Sequence, residues 1–206
     1  MYLSKLTLNP RSRQVNMDKG NPYELHRTIM CAFPPFDHEA ERVLFRLEGK
    51  QLDQLLVQST LEPDWSALKN NYLRTAPEMK HLKELELQHG QILRFRLRAN
   101  PTKRDSQSHK RIGLYQEKDR INWLRRKGEL HGFSFHDNNI ILSSTFWNEF
   151  NIPSKEDNQK HRSRFNLVDF NGLLSVENPD SLLNAVRQGI GPAKSFGCGL
   201  LSLARF

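Results

Sequence analysis

Tyr23, His26 and Arg27 are three and four residues apart, the interval at which side chains become neighbours on an α-helix. An imidazole titrates near neutrality, so one standing beside a phenol and a guanidinium can take a proton or give one. His26 falls in the second turn of a helix expected to begin at Asn21-Pro22, where the positive end of the helix dipole disfavours imidazolium. The same three residues on a solvated face would be ordinary surface groups. The second constellation is Gly189-Ile-Gly-Pro-Ala-Lys-Ser-Phe-Gly-Cys-Gly199, four glycines and one lysine between an expected helix and a final strand. Glycine lets backbone N–H groups approach an anion closely, so Gly189, Gly191 and Lys194 suit a phosphate. A nucleotide-binding P-loop needs G-x-x-x-x-G-K-[ST] running from strand into helix. Here Ala193 precedes Lys194-Ser195 and the loop runs from helix to strand, so no nucleotide is expected.

The other histidines (His38, His81, His89, His109, His131, His136 and His161) show no metal-ligand spacing, and each reads as a surface or loop residue. The two cysteines, Cys31 and Cys198, are far apart and suggest neither a disulfide framework nor a zinc site. No metal and no cofactor are expected, and the default compartment is a reducing cytoplasm. No apolar run approaches the roughly 18–20 residues of a membrane span.

Charge narrows the choice of phosphate. The 206 residues carry 31 Lys+Arg and 23 Asp+Glu, a net charge of +8. Residues 1–90 hold 12 basic and 12 acidic side chains, whereas residues 91–206 hold 19 and 11. The second half supplies the whole positive field, so a polyanion is expected to dock mainly there. Arg94, Arg96 and Arg98 share one strand face, Lys103-Arg104 and Lys110-Arg111 flank a polar loop, and Lys155, Lys160, Arg162 and Arg164 punctuate another polar stretch. The basic run past Pro101 suggests a hairpin or loop that grips a nucleic-acid backbone.

These groups need elements to hold them. Residues 2–8 alternate as a strand, and Asn21-Pro22 is an N-cap followed by proline at the first helical position, opening a helix to about Phe33. Residues 42–48 and 53–59 read as two strands and Glu62-Pro63-Asp64-Trp65 as the start of a second, shorter helix. Residues 72–90 read as irregular, with at most a weak strand. The pattern then restarts with a strand at 91–99, a helix at 116–127 and strands near 132–143 and 164–177, the last expected to bend at Asn171-Gly172. A helix from Asn178-Pro179 to Gly189 and a strand at 199–204 complete it. The stretch 147–164 lacks the periodicity of a packed element. Two successive β-α-β-β-α-β units imply an α+β protein of two tandem ferredoxin-like (RRM-like) domains, 1–88 and 89–206, a topology RNA-recognition modules share.

Four segments carry a resemblance: Asn21-Pro-Tyr-Glu-Leu-His-Arg-Thr28, Glu62-Pro-Asp-Trp-Ser66, Leu93-Arg-Phe-Arg-Leu-Arg-Ala-Asn-Pro-Thr-Lys-Arg104 and Gly189–Ser202. In this order, over nearly the whole chain, they resemble the CasE branch of CRISPR repeat-RNA endoribonucleases, the crRNA-processing subunit of type I-E Cascade. The resemblance implies metal-independent cleavage of a repeat stem-loop RNA, retention of the product hairpin, and other Cascade subunits as partners. It places His26 and Tyr23 at catalytic positions, and Arg27 and the glycine-rich loop along the RNA path. The basic residues of 147–164 are spaced differently from the family's, so the one nearest the scissile phosphate stays open. A non-catalytic scaffold binding structured RNA would share the basic half and the glycine loop, and only the Tyr23/His26 face separates the two readings.

Overall fold

Alternation at the N-terminus builds the first strand. The structure is a computed structural model that describes residues 1–37, 41–49, 51–82, 85–143, 146–153 and 160–206, with side chains outside 144–164. In β1 (Tyr2–Thr7) Ser4 and Leu6 turn inward and Lys5 outward. It pairs antiparallel on one side with β3 (Gln54–Ser59), which itself pairs with β2 (Val43–Glu48), and on the other side with β4 (Glu78–His81). The order β2-β3-β1-β4 is that of a ferredoxin-like sheet. Two helices, α1 (Arg13–Gly20) and α2 (Pro22–Met30), pack with this sheet, and Leu6, Val15, Leu25, Ile29, Phe45 and Val57 form its core.

The restart at residue 91 repeats the plan. In β5 (Ile92–Ala99), Leu93, Phe95, Leu97 and Ala99 are buried, while Ile92, Arg94 and Arg96 face outward. A small hairpin follows, β6 (Thr102–Arg104) with β7 (Arg111–Gly113), then α3 (Glu117–His131). Beyond it lie β8 (Phe133–Ser134), β9 (Ile140–Leu142), β10 (Phe146–Pro153), β11 (Lys160–Val176), α4 (Pro179–Gln188) and β12 (Leu201–Arg205). The sheet order is β10-β11-β5-β12, with β8 and β9 also pairing to β11. Trp123 and Leu124 of α3, with Leu182 and Val186 of α4, fill the core, and Trp123 stacks on Phe170 at 6.0 Å between ring centroids.

The protein is thus α+β, with two tandem ferredoxin-like domains. By contact the chain divides into one unit of residues 1–84, 150–163 and 194–197, and another of residues 85–149, 164–193 and 198–206.

Several elements depart from the sequence reading. The expected second helix at Glu62–Trp65 is a single 3-10 turn, Trp65–Ala67, capped by Asp64, whose carboxylate accepts from the Ser66 N–H at 3.0 Å. Extended backbone at Leu68 ends it. Helix α1 was not anticipated: only Val15 and Asp18 are buried on it, too few for a periodic stripe. Residues 78–81 form a true edge strand although all four are exposed. The stretch 147–164 is mostly strand, in β10 and β11, apart from residues 154–159, which lie outside the described residues. The β11–β5 register runs unbroken through Asn171-Gly172, and a side chain at Gly172 would collide with the Asn139 carbonyl.

Candidate active site

Helix α2 owes its start to two residues. Asn21 accepts the Tyr23 N–H through its side-chain oxygen at 3.1 Å, and Pro22 occupies the first turn, where its missing N–H is harmless. Leu25 and Ile29, both 1% exposed, fasten the helix to the core. That anchoring leaves Tyr23 and His26 half-buried and Arg27 exposed. Arg27 holds Glu24 in an i, i+3 ion pair at 3.1 Å, with its own side chain 64% exposed. The imidazole of His26 lies against Phe45 of β2, ring centroids 6.1 Å apart.

The glycine-rich segment reaches the same place from the other end of the chain. A 3-10 turn, Lys194–Phe196, packs on α2 and β2 within the first unit. Gly197 follows with φ of +81°, and a Cβ there would stand 3.3 Å from the Phe45 ring. Phe45 is therefore the floor on which His26 and the end of the glycine loop meet. The sequence reading did not single out Phe45; as one buried residue in a strand it carries no signal of its own.

The loop's glycines serve the fold as well as any ligand. Gly189 is buried with φ of +74°, and its N–H closes α4 on the Ala185 carbonyl at 2.8 Å. The Ile190 and Gly199 N–H groups donate to the Gly199 and Arg98 carbonyls at 2.9 and 2.8 Å. Gly191, φ +84°, lets the Trp123 ring come within 3.0 Å of its missing Cβ. Solvent reaches the loop over residues 191–196, which include half-exposed Lys194 and exposed Ser195.

The basic residues of the second unit divide by geometry. Lys103, Arg104, Lys110 and Arg111 are all exposed on the β6–β7 hairpin, and Arg104 lies directly opposite Arg111 in its register. Asp105 shapes the turn by accepting the Ser108 N–H and hydroxyl at 2.9 and 2.7 Å, bonds that hold its carboxyl below the usual range. Lys103 also lines a groove of about 430 Å³ with Asn122, Arg125 and Arg126 of α3. Those two arginines, which with Lys127 form a basic run in α3, were not singled out in the sequence reading, which took the helix by its core stripe; the groove shared with Lys103 is a tertiary feature. Arg98 is differently placed: Nε and Nη2 grip both Asp169 oxygens at 2.6 and 2.8 Å, with the pair largely buried. For Lys160, Arg162 and Arg164 only the strand backbone is described, and Lys155 lies outside the described residues. Among the described residues no three His, Cys, Asp or Glu side chains gather as metal ligands, and no helix is long and apolar enough to cross a membrane.

A tandem ferredoxin-like protein with an accessible histidine–tyrosine helix and a cationic hairpin belongs to a class built for RNA. Comparison narrows that class. Residues 1–205 match the family model described as CRISPR associated protein. The chain is 39% identical over 215 residues to the CRISPR-associated endoribonuclease Cse3 of Thermus thermophilus, covering 99% of this chain and 100% of that protein. It is 33% identical to the CRISPR system Cascade subunit CasE of Escherichia coli, with 99% of each covered. Its fold overlays the structure of CRISPR endoribonuclease Cse3 bound to 19 nt RNA with a TM-score of 0.87 at 37% identity, covering 99% of this chain and 100% of that one. The chain belongs to this CRISPR-associated family, in its CasE branch of crRNA-processing subunits.

Proposed function

We propose that the protein cuts CRISPR precursor RNA at the 3′ base of the repeat stem-loop, without a metal ion, and keeps the product hairpin. As a CasE-branch member it is an RNA-processing endoribonuclease and a Cascade subunit; the metal independence, the product and the residue roles are our reading. An RNA 2′-hydroxyl lies beside its own phosphate, so holding it in line with the leaving 5′-oxygen makes the attack intramolecular. The 2′-oxygen bonds to phosphorus as the P–O5′ bond breaks. The hydroxyl proton passes to a base and a proton reaches the 5′-oxygen, giving a 2′,3′-cyclic phosphate and a 5′-hydroxyl. His26 performs one of these two transfers. Such a transfer typically contributes about 10²–10⁴-fold. Tyr23 holds the nucleophile or a phosphate oxygen, and Arg27 and Lys194 supply positive charge as the phosphate's charge grows. Lys103, Arg104, Lys110 and Arg111 grip the stem by its backbone, and the site of work is the cytoplasm.

The observation that carries this reading is the position of His26: half-buried on α2, backed by Phe45, and met there by the Lys194–Phe196 turn. The test is incubation with labelled repeat hairpins in EDTA, followed by end-group analysis. A 2′,3′-cyclic end from wild type, formed about 10²–10⁴-fold more slowly by His26→Ala, is expected. Tight binding with no cutting by wild type would make the protein a scaffold instead.

A further inference from the structure

The half of the chain that is neutral by composition hides a segregated charge. Residues 1–17 and 65–77 contain no Asp or Glu, yet together they carry Lys5, Arg11, Arg13, Lys69 and Arg74. The fold brings these two segments together. Leu8 bridges to Leu73, the Asn9 N–H donates to the Tyr72 carbonyl at 2.9 Å, and the Arg74 N–H donates to the Thr7 carbonyl at 2.8 Å. The Asn9 amide reaches the Asn71 carbonyl at 3.1 Å, and its oxygen accepts the Arg11 N–H at 3.0 Å. Lys69 Nζ donates to Gln14 of α1 at 3.4 Å.

Lys5 is answered by Glu78 at 3.4 Å, but Arg11, Arg13, Lys69 and Arg74 meet no carboxylate among the described residues, and all four are exposed. The one acid of α1, Asp18, is fully buried and bonded by Tyr72 Oη and Gln14, each at 2.8 Å. Four exposed cations on joined segments without a counter-ion repel one another unless an anion sits among them.

We infer that Arg11, Arg13, Lys69 and Arg74 form a second RNA contact, which holds the backbone of the single-stranded segment flanking the repeat hairpin. The inference rests on the proposed function, since it takes the flank from the same RNA. The chemistry of the patch favours RNA over an acidic protein. Its other exposed side chains include the amides of Asn16, Asn70 and Asn71, which hydrogen-bond phosphate and sugar. Met17 is the one large apolar group exposed on α1, too little for the apolar centre of a protein interface. Distance fits as well. The eight residues of α1, about 12 Å of helix, run from Arg13 of the patch to the start of α2, the reach of a few nucleotides.

The test compares wild type with the R11E/R13E/K69E/R74E variant on three RNAs carrying a 2′-deoxy block at the cut site: a bare hairpin, a hairpin with a 5′ flank and one with a 3′ flank. Expected is at least a tenfold loss of affinity for one flanked RNA and less than twofold for the bare hairpin. The salt dependence for that flanked RNA should become shallower, by about 0.7 in log–log slope for each phosphate no longer neutralised. The flank whose RNA binds more weakly is the one held. Equal affinity of variant and wild type for both flanked RNAs overturns the inference. So does unchanged RNA binding with failed assembly into Cascade, which would assign the patch to a protein. A quadruple Arg/Lys→Gln variant repeats the comparison if the reversal lowers the melting temperature. Failure of wild type to bind the bare hairpin would strike the proposed function, not this patch.

Discussion

The rings of His26 and Phe45 lie 6.1 Å apart at an angle of 34°, the first half-buried and the second almost wholly so. A reactive imidazole must be reachable yet held, and an aromatic floor with a packed helix beneath does both. Replacement of His26 by alanine leaves Leu25 and Ile29 in place, so α2 should persist. Cleavage of a repeat hairpin in EDTA should fall by about 10²–10⁴-fold, the usual worth of a positioned proton donor or acceptor. Hairpin affinity should change less than threefold. Single-turnover rates and a filter-binding curve measure the two effects; an equal drop in both would make His26 a binding group.

Gly197→Ala should disturb the same floor from the other side. Its φ of +81° lies where L-residues pay roughly 1–2 kcal/mol, and the new methyl would sit 3.3 Å from the Phe45 ring. The expected result is a melting temperature lower by several degrees and cleavage reduced with hairpin affinity retained. A thermal melt beside the cleavage assay checks both.

How much of this was legible in the sequence depends on how local each cause is. The Asn21-Pro22 cap and the alternation of β5 are local, and both elements appear where their residues place them. Helix α1 was illegible because tertiary contacts hold it, with buried Asp18 bonded to Tyr72 from 54 residues away. The meeting of the Lys194–Phe196 turn with α2 is likewise invisible in sequence, since it joins residues some 170 positions apart. The net-zero charge of residues 1–90 concealed the cationic patch, because a sum over sequence cannot see segregation in space.

Asp169→Asn tests whether Arg98 is a structural residue. The Arg98–Asp169 pair is bidentate and only 17–18% exposed, so removing one charge strands the other in a poorly solvated place. Stability should fall by about 1–3 kcal/mol, the range for an unsatisfied buried partner. A denaturant titration reads this, and RNA affinity at a temperature well below the melt should be unchanged. A large drop in affinity at full stability would move Arg98 to the RNA path.

Cys198 is buried, and desolvation pushes its thiol up to about 12. In the unfolded chain it ionises at an ordinary thiol value. Between that value and 12 the unfolded state releases a proton that the native state keeps, so this group's contribution to stability declines as pH rises through the window. Thiol titration of native protein at pH 8 should therefore count one reactive cysteine, the exposed Cys31, and two after unfolding. Two fast thiols in the native state would contradict the burial.

Arg104 and Arg111 face one another across the β6–β7 ladder, and like charges directly opposed weaken a strand pair. Both are exposed. An arrangement that works against the free hairpin makes sense if an anion completes it. Arg104→Ala should then raise the melting temperature of the free protein slightly at low salt, while hairpin RNA binds about tenfold more weakly. Added salt should erase the first difference, since screening removes the repulsion, and shrink the second, since each counter-ion released into a more concentrated solution gains less entropy. A variant that melts lower at every salt concentration would show that the pair supports the hairpin by itself, with no phosphate needed to relieve it.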